Sequence, residues 1–292
     1  MPPKTRLGQN FLRDQQAIRR IVAALGDCTD RTVVEIGPGR GAITHELASR
    51  AGRLIALEVD RELATQLAGS FPIPAPVQGH GPAGPGVTVE NVDVLSFNFS
   101  AASIAAGHRL IVVGNLPYYI TSPILMKLAE NSDVLDRAVL MVQREVADRV
   151  TAKPGSRDYG FLSVTAQLHG PVEPLFTLPP DAFSPPPEVH STVLRWRFAP
   201  RFRELGLERG PFLGFLRRVF ALKRTTLANN LRAAGVADEA IAVALSAAGI
   251  DPKVRAEALP IEILASLWTS LEKQGAIPRS EMAPLDPEPD SQ

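Results

Sequence analysis

The chain has 292 residues, of which 45% are hydrophobic and 21% charged, and its formal net charge is zero. These values are typical of a globular protein that can bury a large core, and they exclude a membrane protein, since no run approaches the roughly 18 apolar residues of a bilayer span. The first residues lack the apolar core of a signal peptide, so we expect a cytoplasmic protein. The single Cys28 excludes an internal disulfide, and the five histidines form no metal-type pair, so we expect no bound metal.

Strands and helices alternate over the first half of the chain. Hydrophobic residues at helical spacing predict a helix over 14–25. Strands are predicted over 32–36, 53–59, 87–92, 110–113 and 138–142, with helices between them over 42–51, 62–68 and 125–130. This alternation predicts an α/β fold with a doubly wound, Rossmann-like sheet.

The pattern changes in the second half. Two further strands, over 164–167 and 193–197, bracket a Pro-rich segment at 179–187. Helices are then predicted over 212–222, 225–233, 238–248 and 260–274. We therefore predict three parts: a Rossmann-like domain over 1–200, a small helical domain over 201–275 and a disordered tail over 276–292, rich in Pro and acid. A Pro- and Gly-rich loop is predicted over 71–86.

The zero net charge conceals a basic segment. Between Arg195 and Arg232 there are ten basic residues and two acidic ones, a local charge of +8. Such a segment predicts a nucleic-acid-binding surface, and a solvated helix face is the alternative.

A nucleotide-binding pattern occupies the first strands. The turn Gly37-Pro38-Gly39-Arg40-Gly41 lies between a strand and a helix, where glycines let the backbone approach a ligand closely. Glu58 ends the second strand, where a carboxylate can accept both ribose hydroxyls of a bound nucleoside. NAD and S-adenosylmethionine fit these two features equally well. Asp93, at the end of the third strand, can accept from an adenine amino group, and together with Pro38 it favours S-adenosylmethionine.

The tip of the fourth strand, Asn115-Leu116-Pro117-Tyr118, indicates the reaction. An adenine amine is a poor nucleophile because its lone pair is delocalised into the ring. If the Asn115 side-chain oxygen and the Leu116 carbonyl accept its two hydrogens, the nitrogen can pyramidalise and attack a methyl group. Tyr118 can stack on the base, and Phe183 is a candidate for its opposite face, although an aromatic residue such as Phe183, taken alone, is more often part of a core. An in-line transfer from a sulfonium needs positioning and no metal, and the base must leave its stack to reach the site.

Four motifs together resemble a known family. They are Gly8-Gln9-Asn10-Phe11-Leu12, Glu35-Ile36-Gly37-Pro38-Gly39, Asn115-Leu116-Pro117-Tyr118 and Phe183-Ser184-Pro185-Pro186-Pro187-Glu188-Val189-His190-Ser191. In this order, over about 7–274, they resemble the KsgA-type ribosomal RNA small-subunit adenine dimethyltransferases. The resemblance implies S-adenosylmethionine-dependent dimethylation of two adjacent adenines in a hairpin loop near the 3′ end of 16S rRNA, late in small-subunit assembly, by an enzyme that we expect to be a monomer.

The resemblance also implies roles for individual residues. The cofactor would be bound by Asn10, Leu12, Gly37, Gly39, Glu58, Asp93 and Asn115. The target adenine would be held by Asn115, Leu116, Pro117, Tyr118 and Phe183. Ribosomal RNA would be bound by Arg217, Arg218, Lys223 and Arg224 in a basic helical segment. Tyr119 stands where the family usually has Asn or a similar polar residue, and the 71–86 loop is longer than is typical.

Three other interpretations remain open at this point. One is a macrolide-resistance methyltransferase acting on 23S rRNA, which shares the sheet but is disfavoured by the segment that begins at Phe183. Another is a non-catalytic ribosome-assembly factor, which the intact Glu58, Asp93 and Asn115 disfavour. An NAD-linked oxidoreductase would leave the basic helical domain unexplained.

Overall fold

The structure is a computed structural model that describes residues 10–71 and 86–277. The loop predicted over 71–86 and the tail predicted over 276–292 lie almost wholly outside these ranges, as do Gly8 and Gln9. The chain divides into two compact units, which we describe separately. Unit 1 comprises the chain up to Ala147 together with Gly170–Ala199, and unit 2 comprises Asp148–His169 and the chain from Pro200 onward.

The described ranges contain nine strands and eleven α-helices. The strands are β1 (Phe11–Leu12), β2 (Thr32–Ile36), β3 (Arg53–Leu57), β4 (Gly86–Glu90), β5 (Leu110–Asn115), β6 (Leu135–Gln143), β7 (Val172–Leu178), β8 (Phe183–Ser184) and β9 (Ser191–Arg197). The helices are α1 (Gln15–Ala24), α2 (Ala42–Leu47), α3 (Arg61–Gly69), α4 (Phe99–Ala106), α5 (Thr121–Glu130), α6 (Arg144–Thr151), α7 (Phe161–Leu168), α8 (Arg209–Val219), α9 (Leu227–Ala233), α10 (Asp238–Ala247) and α11 (Ile261–Lys273).

Unit 1 is built on a seven-stranded sheet in the order β4-β3-β2-β5-β6-β9-β7. The first five of these strands are parallel, and β9 and β7 are antiparallel to their neighbours. The chain runs outward from β2 to β4 and then returns to place β5 on the other side of β2. The order therefore reverses between β2 and β5, which is the point where open α/β sheets bind ligands. This mixed α/β sheet confirms the predicted fold class.

Both faces of the central strands are buried. Side chains from β2 and β5, such as Val33 and Ile111, pack with Ile18 of α1 in one hydrophobic cluster. The alternate residues Val34 and Val112 point to the opposite face and are 0% exposed as well. A strand that is buried on both sides has a continuous apolar sequence, and this explains why β2 and β5 could be predicted from short apolar runs.

Unit 2 has a separate, all-helical core. Phe212 and Phe215 of α8 stack with ring centroids 5.8 Å apart, and Phe215 lies 5.4 Å from Trp268 of α11. Helix α7 joins this core through Val164 and Leu168, both 0% exposed.

Most predicted elements are confirmed within a few residues, but one is wrong. The segment 164–167, predicted as a strand, lies inside helix α7, where six of eight residues are buried. A helix that is buried on most sides loses its polar stripe, so its short apolar run cannot be distinguished from a strand. Helices α4 and α6 and strands β1, β7 and β8 were not predicted. No helix in residues 10–71 and 86–277 is long and apolar enough to cross a bilayer.

Candidate active site

A cavity of about 500 Å³ opens at the carboxyl ends of the parallel strands of unit 1. Its walls come from the segments that follow β2, β3, β4 and β5, and from the N-terminal strand β1. Ten of the eleven residues predicted for the cofactor and the adenine line it: Asn10, Leu12, Gly37, Gly39, Glu58, Asp93, Asn115, Leu116, Pro117 and Tyr118. The cavity size is within the range of roughly 300–1,000 Å³ that is usual for small-molecule sites.

The Gly-rich turn after β2 has a conformation that only glycine adopts easily. Gly37, Gly39 and Gly41 have φ angles of +63°, +55° and +82°. At Gly39 there is also no room for a side chain, since a Cβ atom would lie 2.9 Å from two ring carbons of Phe11. The turn therefore brings its backbone against the N-terminal strand at the edge of the cavity.

Glu58 is held rigidly at the end of β3. Its Oε2 accepts a hydrogen bond from Gly39 N–H and its Oε1 accepts one from Asp60 N–H, both at 2.9 Å. The residue is 3% exposed. A carboxylate has about four lone-pair sites, so Glu58 can still accept hydrogen bonds from ligand hydroxyls.

Glu35 is a cavity residue to which the sequence analysis gave no role. It lies in the middle of β2, is 1% exposed, and its Oε2 has no hydrogen-bond partner within the described part of the chain. Burial, reinforced by the nearby Glu58 carboxylate, raises the pKa of Glu35 to about 7. The sequence signal that could have indicated a role for Glu35 is that it is the single acid in the otherwise largely apolar run Thr32–Ile36.

The end of β5 holds the Asn115 amide in a fixed orientation. Asn115 Nδ2 donates to the carbonyl oxygen of Asn10 at 3.0 Å. Oδ1 has no partner within residues 10–71 and 86–277, and it belongs to a residue that lines the cavity. The arrangement offers a hydrogen-bond acceptor to a ligand, as the predicted role of Asn115 requires.

The turn after Asn115 is rigid. Leu116 N–H donates to Met141 O at 3.0 Å, and the Pro117 carbonyl accepts from Ile120 N–H at 3.2 Å and from the Thr121 hydroxyl at 2.9 Å. The Pro117 carbonyl therefore stabilises the turn itself.

The two tyrosines of this turn have different surroundings. The Tyr118 hydroxyl lies 2.8 Å from Ser191 Oγ, which fixes the half-buried ring. Burial raises the pKa of Tyr118, and the hydrogen bond with Ser191 partly opposes this. Tyr119 is 51% exposed at the cavity, and its pKa is raised by burial and by the carboxylates of Asp93 and Glu58.

Phe183 is not brought to the cavity. Strand β8 pairs with β1 so that Phe183 is opposite Leu12 and Ser184 is opposite Phe11. Phe183 is 1% exposed and belongs to the hydrophobic cluster of unit 1, while Ser184 lines the cavity. In this conformation Phe183 anchors the N-terminal strand, and its proposed stacking on the adenine stays a prediction.

The predicted RNA-binding residues lie in unit 2. Arg217 and Arg218 are in the last turn of α8 and are half-buried, whereas Lys223 and Arg224 are exposed between α8 and α9. Arg224 has a φ angle of +63°, which is uncommon for a residue with a side chain. Within the basic segment, carboxylates pair with Arg201, Arg232 and Arg195, in the pairs Arg201–Glu262, Arg232–Asp238 and Arg195–Glu173.

The parallel part of the sheet carries a Gly-rich turn after β2, an acid after β3 and an Asn-aromatic tip at the end of β5. Together with the fold, these features are typical of Rossmann-like, S-adenosylmethionine-dependent methyltransferases, and this chain adds a helical second unit. The family model described as "Ribosomal RNA adenine dimethylase" matches residues 3–273. The chain belongs to this family, and the predicted resemblance is confirmed.

Curated relatives agree over nearly the whole chain. The "Ribosomal RNA small subunit methyltransferase A" of Acidobacterium capsulatum is 58% identical over 269 residues, covering 92% of this chain and 91% of the relative. The protein of the same name from Koribacter versatilis is 46% identical, covering 92% of this chain and 95% of the relative.

Two solved structures share the fold. A dimethyladenosine transferase from Plasmodium falciparum aligns with a TM-score of 0.71 at 20% identity, covering 91% of this chain and 98% of that one. The 23S rRNA methyltransferase ErmE aligns with a TM-score of 0.65 at 27% identity, covering 90% of this chain and 100% of that one.

Proposed function

We propose that this protein transfers methyl groups from S-adenosylmethionine to the N6 atoms of two adjacent adenines near the 3′ end of 16S rRNA, which become N6,N6-dimethyladenines. The orientation of the Asn115 amide is the main structural support. Its Nδ2 is engaged by Asn10, so Oδ1 is the atom available to accept a hydrogen from an adenine amine. The names of the 58% and 46% identical relatives support the small subunit as the source of the substrate.

The cavity residues fit the cofactor. The buried Glu58 carboxylate suits two ribose hydroxyls, Asp93 suits an adenine amine, and the open Gly37–Gly39 turn leaves space for a nucleoside against the backbone. Glu35 Oε2, which has no hydrogen-bond partner among the described residues, is a further polar group at the cavity wall that a cationic ligand would satisfy. When bound, S-adenosylmethionine supplies an electrophilic methyl group on a sulfonium.

The residues of this chain activate the acceptor by position. Asn115 Oδ1 and the Leu116 carbonyl accept the two amine hydrogens, which draws the nitrogen lone pair out of conjugation with the ring. Tyr118, fixed through Ser191, stacks on the base, and such stacking contributes roughly 1–3 kcal/mol. The proton that the nitrogen loses after attack passes toward these acceptors and then to solvent.

We also propose a role for each of the two units, an oligomeric state and a location. We assign rRNA binding to the helical unit 2, with Arg217, Arg218, Lys223 and Arg224 contacting phosphates, and methyl transfer to unit 1. We further propose that the protein acts as a cytoplasmic monomer on the small subunit or its precursor.

Primer extension on rRNA from a deletion strain tests the proposal, because dimethylated adenines stop reverse transcriptase. We expect the stops near the 3′ end of 16S rRNA to disappear on deletion, to return with the wild-type gene, and to stay absent with Asn115→Ala. Loss of a stop in 23S rRNA instead would indicate the macrolide-resistance type of activity. Unchanged stops in both rRNAs would contradict the proposal.

A further inference from the structure

Only two of the described residues that line the cavity carry a positive charge: Arg13 and Arg40. Both are exposed, whereas the cavity carboxylates Glu35 and Glu58 are buried. Neither arginine belongs to the residues predicted to bind cofactor, adenine or RNA.

Both arginines are held beside the N-terminal strand. The Arg40 guanidinium lies over the Phe11 ring, 4.6 Å from its centroid, and Phe11 itself packs against Gly39. Arg13 follows the same strand and is fixed by its N–H, which donates to Ala182 O at 2.9 Å. This strand begins beside Asn10, whose carbonyl binds the Asn115 amide. Both arginines therefore lie on the wall of the cavity that β1 and the Gly-rich turn form, and this wall is joined to the acceptor end through the hydrogen bond between Asn10 and Asn115.

No carboxylate among the described residues neutralises the charge of either arginine. Neither forms an ion pair with a carboxylate in the described ranges, whereas Arg31, Arg50 and Arg195 of the same unit do. Stacking on Phe11 also limits the side-chain freedom that Arg40 would lose on binding. Two unpaired guanidiniums at the edge of a cavity are suited to an anion with several oxygens.

We infer that Arg13 and Arg40 bind the phosphates on either side of the extruded adenine. This inference rests on the proposed function, since it takes the ligand to be RNA. An adenine that enters the cavity remains attached to its backbone, so its phosphates must stay at the mouth. Contacts to phosphate fix the register of a nucleic acid without reading its sequence. The pair would thus position the target nucleotide within unit 1, independently of the basic residues of unit 2.

The salt dependence of binding tests this inference. Full-length Arg13→Gln, Arg40→Gln and the double variant are titrated with unmethylated small ribosomal subunits at several KCl concentrations. Each single change should make the negative slope of log K against log[KCl] shallower by about 0.7–0.9, where K is the association constant for the subunit. The double change should make it shallower by about 1.5, equivalent to about 30-fold weaker binding at 0.1 M salt. Arg40→Lys, which keeps the charge, should keep the slope.

Arg20→Gln is a matched control, because Arg20 is also exposed and lies over a phenylalanine, 3.7 Å from the Phe176 centroid, but does not line the cavity. Its slope should equal that of the wild type. Calorimetric affinity for S-adenosylmethionine should be unchanged in every variant. An unchanged slope in the double variant would overturn the inference. Weaker binding of the cofactor together with normal binding of the subunit would also overturn it, because that result would assign the two arginines to the carboxylate of the cofactor. A wild-type protein that neither binds nor methylates the subunits would instead refute the proposed function.

Discussion

Glu58→Gln is the substitution that tests the construction of the cofactor site most sharply. Both carboxylate oxygens accept backbone N–H groups, from Gly39 and Asp60, at 2.9 Å. A glutamine has one oxygen, so one buried N–H would face the new amide NH₂ without an acceptor, and the other bond would lose its charge. Bonds to charged groups contribute roughly 1.5–3 kcal/mol, and an unsatisfied buried donor costs about 1–3 kcal/mol.

We therefore expect the free energy of unfolding to fall by about 2–3 kcal/mol, which corresponds to a Tm decrease of roughly 5–10 °C in a domain of this size. Loss of the charged acceptor for ribose should add about 2 kcal/mol to the binding free energy, an increase in Kd of about 30-fold. Scanning calorimetry without cofactor measures the first effect and titration calorimetry the second.

Glu46→Gln is the control, because this residue lies on α2, next to the Gly-rich turn, in a surface pair with Arg50. Surface pairs contribute about 0–1 kcal/mol, so Tm should change by no more than a few degrees and Kd should not change. If Glu58→Gln matched this control in both measurements, the role given to Glu58 would be wrong.

Three further predictions concern the acceptor site, the RNA surface and a buried acid. Asn115→Ala should lower kcat for methyl transfer by about 10²-fold or more, because removal of one positioned transition-state hydrogen bond has an effect of this size in other enzymes. Its effect on the Kd for the cofactor should be smaller. Wild-type turnover in this variant would remove Asn115 from the mechanism. Replacing Lys223 and Arg224 together by Ala should make the slope of log K for rRNA binding against log[salt] shallower by about 1.5. Lys253→Ala, an exposed change in the same unit, should leave this slope unchanged. If the double variant had the same slope as Lys253→Ala, Lys223 and Arg224 would belong to a solvated face. Glu35 has a pKa near 7 in the folded protein against 4.5 ordinarily, so the fold favours its protonated form. The free energy of unfolding of the cofactor-free protein, measured in urea, should therefore fall by about 3 kcal/mol as the pH rises from about 4.5 to 7. Glu35→Gln should remove this fall. Identical pH profiles for the wild type and this variant would contradict the raised pKa of Glu35.

The part of the site that could be predicted from the sequence is the part that parallel strands build. Glu58, Asp93 and Asn115 each follow a short apolar strand, and the carboxyl ends of such strands converge at the switch point of the sheet. Their convergence on one cavity follows from the fold class alone, without knowledge of any side-chain contact.

The parts that could not be predicted depend on pairing between distant segments. Strands β1 and β8 have two residues each, too short for a hydrophobic period, yet their pairing buries Phe183 and places Ser184 at the cavity. Arg40 belongs to the Gly-rich turn, and no pattern in the sequence indicates that its guanidinium lies over the Phe11 ring. Helix α7 resembled a strand because it is buried on most sides.

The most direct test of the account is methylation of unmethylated small subunits by the purified protein with labelled S-adenosylmethionine, followed by mass spectrometry of the 16S rRNA nucleosides. We expect N6,N6-dimethyladenosine at two adjacent adenines near the 3′ end and none in 23S rRNA, and we expect Asn115→Ala to form it at least about 10²-fold more slowly. Methylation at any other atom or in the large-subunit rRNA, or equal methylation by Asn115→Ala, would contradict the account.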